Sequence, residues 1–173
     1  RQVGEIGYLV DEFSGFARLP EPELKPENIY NVIRSIIDDY KNNYKNIEFR
    51  ETYFSKKFEL NIDKSQFSRV LQNILINSIH SIEEKDINDG CINVETSEHE
   101  DYFQFILRDN GVGLRYGKEE LLKPYFTTKK KIGGSGLGLA IVEKILFDHN
   151  AEFYIDNRKD NINGAEVIIK FEK

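Results

Sequence analysis

Two glycine-rich stretches, Asp109-Asn110-Gly111-Val112-Gly113 and Gly134-Ser135-Gly136-Leu137-Gly138-Leu139, constrain this chain more than any other feature. The first follows a strand-like segment at 102–108, and the second opens a segment of helical spacing running to about His149. Between them lies Pro124-Tyr125-Phe126-Thr127-Thr128-Lys129, in a connection over 114–133 that ends in Lys129-Lys130-Lys131-Ile132-Gly133-Gly134. Connections beyond about 12–15 residues tend to be lids, binding loops or disordered segments.

The segments around these motifs set the fold class. Val3, Ile6, Leu9, Val10, Phe13, Phe16 and Leu19 recur at helical spacing, and Pro20, Pro22 and Pro26 then stop that helix and stiffen a linker. The expected division is therefore a helix over 1–19, a linker over 20–26 and a main domain over 27–173. In the main domain, Ile29, Val32, Ile33, Ile36, Ile37 and Tyr40 mark a helix ending near Asn43, and a further helix is expected over 65–84. Alternating or apolar runs at 47–53, 57–62, 91–97, 102–108, 152–156 and 165–171 read as strands. Some strands follow one another directly and others are separated by helices, so the class is α/β with a mixed sheet.

Bulk properties exclude several functions. A net charge of -6 and a pI near 5.2 argue against sequence-blind nucleic-acid binding, which needs a basic face. The lone Cys91 cannot close an internal disulfide; it reads as a small core residue, and a reducing compartment is the simpler setting. No apolar run approaches the roughly 18 residues needed to span a bilayer. Methionine is absent, so the expectation is a fragment, cytoplasmic itself, whose parent could still be membrane-anchored.

The helix over 65–84 has an apolar face of Phe67, Val70, Leu71, Ile74, Leu75 and Ile82. Asn73, Asn77, His80 and Glu84 fall on one polar stripe at i, i+4, i+7 and i+11. Such a stripe can be a solvated face, but Asn is a poor helix former and amide oxygens suit Mg²⁺. Asp109 can be an ordinary Asx turn after a strand, or a buried carboxylate that accepts a hydrogen bond from an exocyclic amine. On the second reading Gly111 and Gly113 let the backbone approach a flat ring. Unpaired N–H groups where the second glycine stretch opens its helix make a phosphate site, beside three lysines that could otherwise be a solvated loop. Taken together these describe a nucleotide pocket. Rival motifs fail: no G-x-x-x-x-G-K-[ST] is present, G-S-G-L-G-L does not match G-x-G-x-x-G, and Arg108-Asp109-Asn110 lacks V-A-I-K and D-F-G companions. His80, His99 and His149 are too dispersed for a His/Cys metal centre.

The combination resembles the ATP-binding catalytic domain of sensor histidine kinases, within the wider family that includes gyrase, Hsp90 and MutL. Gln72 to Ser78 resembles the N box, Asp109 to Gly113 the first glycine box, and Phe126-Thr127-Thr128-Lys129 the F box of the ATP lid. Gly134 to Leu139 resembles the second glycine box, and Gly164-Ala165 the small closing motif. Leu9 to Pro20 is similar to the second helix of the dimerisation domain in NtrY-like nitrogen-regulation kinases. The resemblance implies a Bergerat two-layer α/β sandwich, with helices covering one face of a mixed sheet. It implies ATP and Mg²⁺ as cofactors, Asp109 at adenine N6, Asn77 as the metal ligand, and Asn73 with Asn77 as the catalytic pair. Gly111, Gly113, Phe126, Thr128, Lys129, Gly134, Ser135, Gly136, Leu137 and Gly138 would complete the nucleotide site. Partners implied are a dimerisation domain bearing the phosphoacceptor His, a response-regulator receiver domain, and a second copy in a homodimeric parent. Two departures stand out: Ser78 replaces the usual Ala, and His80 stands where Lys, Arg or an acid is more common. The H box itself is missing from the sequence.

The alternatives are a GHKL-type ATPase switch, an anti-sigma-like serine kinase and a degenerate nucleotide-binding scaffold. ATP-hydrolysing relatives use a Glu where this chain has Asn73, which cannot act as a carboxylate base.

Overall fold

The computed structural model describes residues 19–54, 56–127 and 136–173. The helix expected over 2–19 lies outside them except for Leu19, as do Thr128, Lys129, Gly134 and Ser135. Two capped helices organise the domain. Asn28 accepts a bond from the Asn31 N–H (3.1 Å) ahead of α1 (Ile29–Asn43), and Asp63 accepts from the Gln66 N–H (3.0 Å) ahead of α2 (Lys64–Lys85). Each cap stabilises its helix by about 1 kcal/mol. Helix α1 buries Ile29, Val32, Ile33 and Ile37; α2 buries Phe67, Val70, Leu71, Ile74, Leu75, Ile79 and Ile82.

The strands are β1 (Lys25–Asn28), β2 (Glu48–Tyr53), β3 (Glu59–Ile62), β4 (Cys91–Glu98), β5 (Tyr102–Asp109), β6 (Ala151–Asn157) and β7 (Ala165–Glu172). Two more helices, α3 (Lys118–Leu121) and α4 (Gly138–Asp148), lie between β5 and β6. Five strands form one sheet in the order β2-β4-β5-β7-β6, while β1 and β3 pair separately. The β2–β4 contact is parallel and the others are antiparallel, so the sheet is mixed as expected. β2 and β3 are neighbours in sequence, yet they join different sheets.

Alternation decides which face of the sheet carries helices. Ile92, Val94, Phe103, Phe105, Leu107, Val167, Ile169 and Phe171 point to one side and form a single core with the buried residues of α1, α2 and α4. Leaving that face exposed would forfeit roughly 1.5–3 kcal/mol per large side chain. The other face carries charged pairs: Arg108 bridges Glu95 (2.8 Å) and Glu166 (2.5 Å) across three strands.

Two local differences from expectation have simple causes. Lys25 and Pro26, read as linker, belong to β1, whose partner β3 is distant in sequence. The same stretch is tied down further by Gln66 Nε2 donating to the Pro20 carbonyl (2.9 Å) and the Glu23 N–H donating to Asp63 (3.0 Å). The long connection also contains a short helix, α3, which no apolar periodicity signals.

Candidate nucleotide-binding site

β5 delivers Asp109 to the inner face of the sheet at its last residue, where it is 1% exposed. Both main-chain bonds to its carboxylate fall on Oδ1, from the N–H groups of Gly111 (2.9 Å) and Ala165 (3.3 Å). The Ser78 hydroxyl is a further hydrogen-bond partner of the same carboxylate. Burial pushes the carboxyl above the usual Asp range; the Gly111 and Ala165 amides, the Ser78 hydroxyl and the Arg158 charge pull the other way and only partly offset it.

The glycines after Asp109 have a reason other than the one expected from sequence. A Cβ on Gly111 would lie 2.3 Å from Ser81 Oγ and 2.5 Å from the Ser81 carbonyl carbon, so this loop rests directly on the backbone of α2. The Val112 N–H donates to the Ser81 carbonyl (3.1 Å) and ties the same contact. Gly113 has φ +76, a conformation other residues rarely adopt. Packing against the protein already requires Gly at 111, whatever approaches from outside.

Helix α2 connects this end of the site to the other. Asn73 and Asn77 are half-buried on its polar stripe. Asn73 Nδ2 donates to the Arg69 carbonyl (2.8 Å), which turns Oδ1 toward α4: a Cβ on Gly138 would be 2.8 Å from it. The second glycine stretch is thereby placed beside the asparagine stripe, about 12 Å along α2 from Ser81 at a rise of about 1.5 Å per residue. Among the described residues no hydrogen bond engages the Asn77 carboxamide. Of the other stripe members, Glu84 pairs with Arg115 (2.5 Å), an exposed bridge that braces the first glycine loop, and His80 is half-buried.

Helix α4 begins at Gly138 with Leu137 fully buried, and among the described residues no side chain caps its first turn. Its leading N–H groups are the unpaired donors that bind anions at helix N-termini. Gly136 has φ +73, and a Cβ there would lie 2.6 Å from the Tyr125 carbonyl carbon and 2.8 Å from the Phe126 oxygen. The two described ends of the long connection therefore meet at its base. Phe126, half-buried, packs edge-on against Tyr116 with centroids 5.0 Å apart.

No group of three or more His, Cys, Asp or Glu among the described residues is arranged for a metal. A cation here would rely on amide oxygen, water and a ligand's phosphates. The Asn77 carboxamide, which has no hydrogen bond among the described residues, fits that habit of Mg²⁺, and Asn73 lies one turn away on α2.

Sequence reasoning missed two contributors. Ser78, noted only as a replacement for Ala, is buried and its hydroxyl acts on the Asp109 carboxylate. Arg158 donates from Nη1 to the Asp109 main-chain oxygen (3.0 Å) across 49 residues of sequence. No local pattern could have signalled that second contact.

Comparison with known proteins agrees with this arrangement. Residues 62–173, more than half of the chain, match the family described as histidine kinase-, DNA gyrase B-, and HSP90-like ATPase. The nitrogen regulation protein NtrY of Azorhizobium caulinodans is 36% identical over 171 residues, covering 96% of this chain and 22% of NtrY. An NtrY-like sensor histidine kinase of Rickettsia prowazekii is 34% identical over 176 residues, covering 99% of this chain and 28% of that protein. The chain thus spans about a quarter of the length of these relatives. The catalytic domain of histidine kinase ThkA shares the fold with a TM-score of 0.75 at 24% identity, over 87% of this chain and 96% of that one. Full-length ShkA, solved in complex with AMPPNP, superposes with a TM-score of 0.79 at 21% identity, over 99% of this chain and 36% of ShkA. The chain belongs to the histidine kinase-, DNA gyrase B-, and HSP90-like ATPase family.

Proposed function

We propose that this chain is the ATP-binding catalytic domain of an NtrY-like sensor histidine kinase. One observation carries the reading: Asp109 is a buried carboxylate, and the helix that reaches it through Ser78 also presents Asn77, whose amide has no hydrogen bond among the described residues. Asp109 accepts a hydrogen bond from the adenine exocyclic amine, a charge-assisted contact worth about 1.5–3 kcal/mol. A base with a carbonyl at that position leaves the carboxylate unpaired and is rejected. The phosphates lie against the leading N–H groups of α4, and Thr128, Lys129, Gly134 and Ser135, which fall outside the described residues, are the further phosphate contacts that the family resemblance implies. Asn77, assisted by Asn73, would hold Mg²⁺, which would supply neutralisation of the phosphate charge.

The γ-phosphoryl group passes to a His on the dimerisation domain. A bond forms between a ring nitrogen and phosphorus as the bond to the β,γ-bridging oxygen breaks, ADP leaves with the electron pair, and the imidazole releases its proton. The domain's contribution is positioning and charge neutralisation. An Asp on a response-regulator receiver domain then takes the phosphoryl group. The structure of ThkA in complex with the response regulator TrrA, a neighbour in fold, supports such a partner, and the AMPPNP complex of ShkA supports the ligand. On this reading residues 1–19 belong to the dimerisation domain of a homodimeric parent, 20–24 connect, and 25–173, starting with β1, form the kinase domain on the cytoplasmic side. No helix among the described residues is long and apolar enough to cross a membrane. Asn73 in place of a carboxylate disfavours the ATPase alternative.

The test mixes the chain with a separate His-bearing dimerisation segment and labelled ATP. Acid-labile phosphate on that His is expected, lost with Asp109→Asn or Asn77→Ala. Acid-stable phosphoserine, or free phosphate without phosphoprotein, overturns the proposal in favour of the serine-kinase or ATPase reading.

A further inference from the structure

The turn between β6 and β7 reaches back beneath Asp109. The Arg158 side chain is 5% exposed, and its guanidinium is held in a fork: Nε and Nη2 donate to Asp160 at 3.0 and 2.5 Å, while Nη1 donates to the Asp109 carbonyl at 3.0 Å. The Arg158 N–H donates to the Gly164 carbonyl (3.0 Å), which closes the turn. Gly164, at φ +147, lies so near that a Cβ would be 1.9 Å from the Asp109 carbonyl oxygen. Ala165 next to it donates to Asp109 Oδ1.

We infer that this turn, with Arg158 as its charged member, is a positioning device that aims the Asp109 carboxylate and thereby sets the base selectivity of the nucleotide site. The inference rests on the reading of Asp109 as the adenine contact. Its physical basis is that carbonyl and carboxylate belong to one residue. Holding the peptide oxygen from below with Arg158 and Gly164, and Oδ1 with two main-chain amides, leaves the side chain one orientation. Arg suits the task because its planar fork grips Asp160 along one edge while a third N–H stays free for the carbonyl; the ammonium of Lys has no such fixed geometry. Arg158 touches the main chain of Asp109, so it acts through that residue and not on the nucleotide. It also lines a cavity of about 680 Å³ with Lys45, Arg50, Asn93 and Asn110.

Titration calorimetry on the whole chain, with ATP and inosine triphosphate in Mg²⁺, tests this, because the two ligands share their phosphates and differ in a 6-amino against a 6-oxo group. The wild type is expected to prefer ATP. In Arg158→Ala, ATP binding falls about tenfold, the order of one hydrogen bond to a charged group, while inosine triphosphate binding holds or tightens, so the preference collapses. Arg158→Lys restores part of the preference, and Asp160→Asn, at a half-exposed carboxylate, lowers it less than Arg158→Ala does. A preserved ATP preference in Arg158→Ala, or equal losses for both nucleotides, overturns the inference, since a merely structural role moves both together. Should Arg158→Ala fail to fold, Asp160→Asn and Arg158→Lys decide by the same ratio. A wild type that ignores ATP, or favours the 6-oxo base, overturns the underlying reading of Asp109 instead.

Discussion

The two ends of the site are built on opposite plans. At the Asp109 end the protein supplies two amides to one carboxylate oxygen, a guanidinium to the carbonyl, and two glycines that seat the loop against neighbouring backbone. At the Gly138 end, α4 starts without a side-chain cap among the described residues and Asn73 Oδ1 faces it, while between the two ends Asn77 has no hydrogen bond among the described residues. One end is assembled before any ligand arrives; the other leaves polar groups for a ligand to satisfy. Rigid placement suits discrimination between bases, where a misdirected carboxylate loses selectivity. Phosphates and their cation offer many acceptor and donor geometries and need less precision from the protein.

Paired substitutions can break or sharpen this contrast. The largest effect is expected from Gly164→Ala, whose new methyl would meet the Asp109 carbonyl oxygen at 1.9 Å, a main-chain atom that cannot swing aside. Denaturant melts should show a loss of about 1–3 kcal/mol, as in other overpacked sites, and ATP binding should fall with it. Next is Asp109→Asn, expected to weaken ATP binding about 10- to 100-fold by removing a charge-assisted bond, read by calorimetry.

The same variant should melt higher than wild type at neutral pH, because a partly compensated buried charge is gone. Its pH dependence follows from the upward shift of the Asp109 carboxyl. Between the ordinary value of 3.8 and the raised one, the folded state binds more protons than the unfolded state, so wild-type stability falls as pH rises through that window. Nucleotide binding, which needs the ionised carboxylate, rises across the same window. The stability gap between Asp109→Asn and wild type should therefore widen with pH there and level off above it; a gap independent of pH would show that burial does not govern this carboxyl.

At the phosphate end, Asn77→Ala should remove the Mg²⁺-dependent part of ATP binding while raising stability by up to about 0.7 kcal/mol, the helix-propensity difference. Lost stability would mean the carboxamide has a structural role. The smallest effect belongs to Gly138→Ala. Its Cβ would meet Asn73 Oδ1 at 2.8 Å, the end of a side chain that can rotate, and Ala favours the helix, so the melting temperature should hardly move. A loss as large as that of Gly164→Ala would erase the contrast between the two ends.

Much of the fold was legible because its signals are local. The i, i+3, i+4 spacing of Phe67, Val70, Leu71, Ile74 and Leu75 announces α2, and the alternation in 102–108 announces β5. β1 was not legible: it is four residues long, contains Pro26, and exists only because β3 pairs with it. The hidden part of the site was also non-local. Ser78 looked like a tolerated replacement until the fold brought Asp109 against it, and that α2 lies directly beneath Gly111 is visible only in the fold.

Periodicity, caps and glycine placement in the chain by themselves determined which segments are helices and strands, and they put Asn73 and Asn77 on one polar stripe and Asp109 at the end of a strand. These properties depend on residues within a few positions of one another. Only tertiary structure decided that Arg158 and Gly164 hold Asp109 from below, and that Asn73 faces Gly138. Contacts across 49 residues of sequence are set by how sheet and helices pack, and no local pattern encodes them.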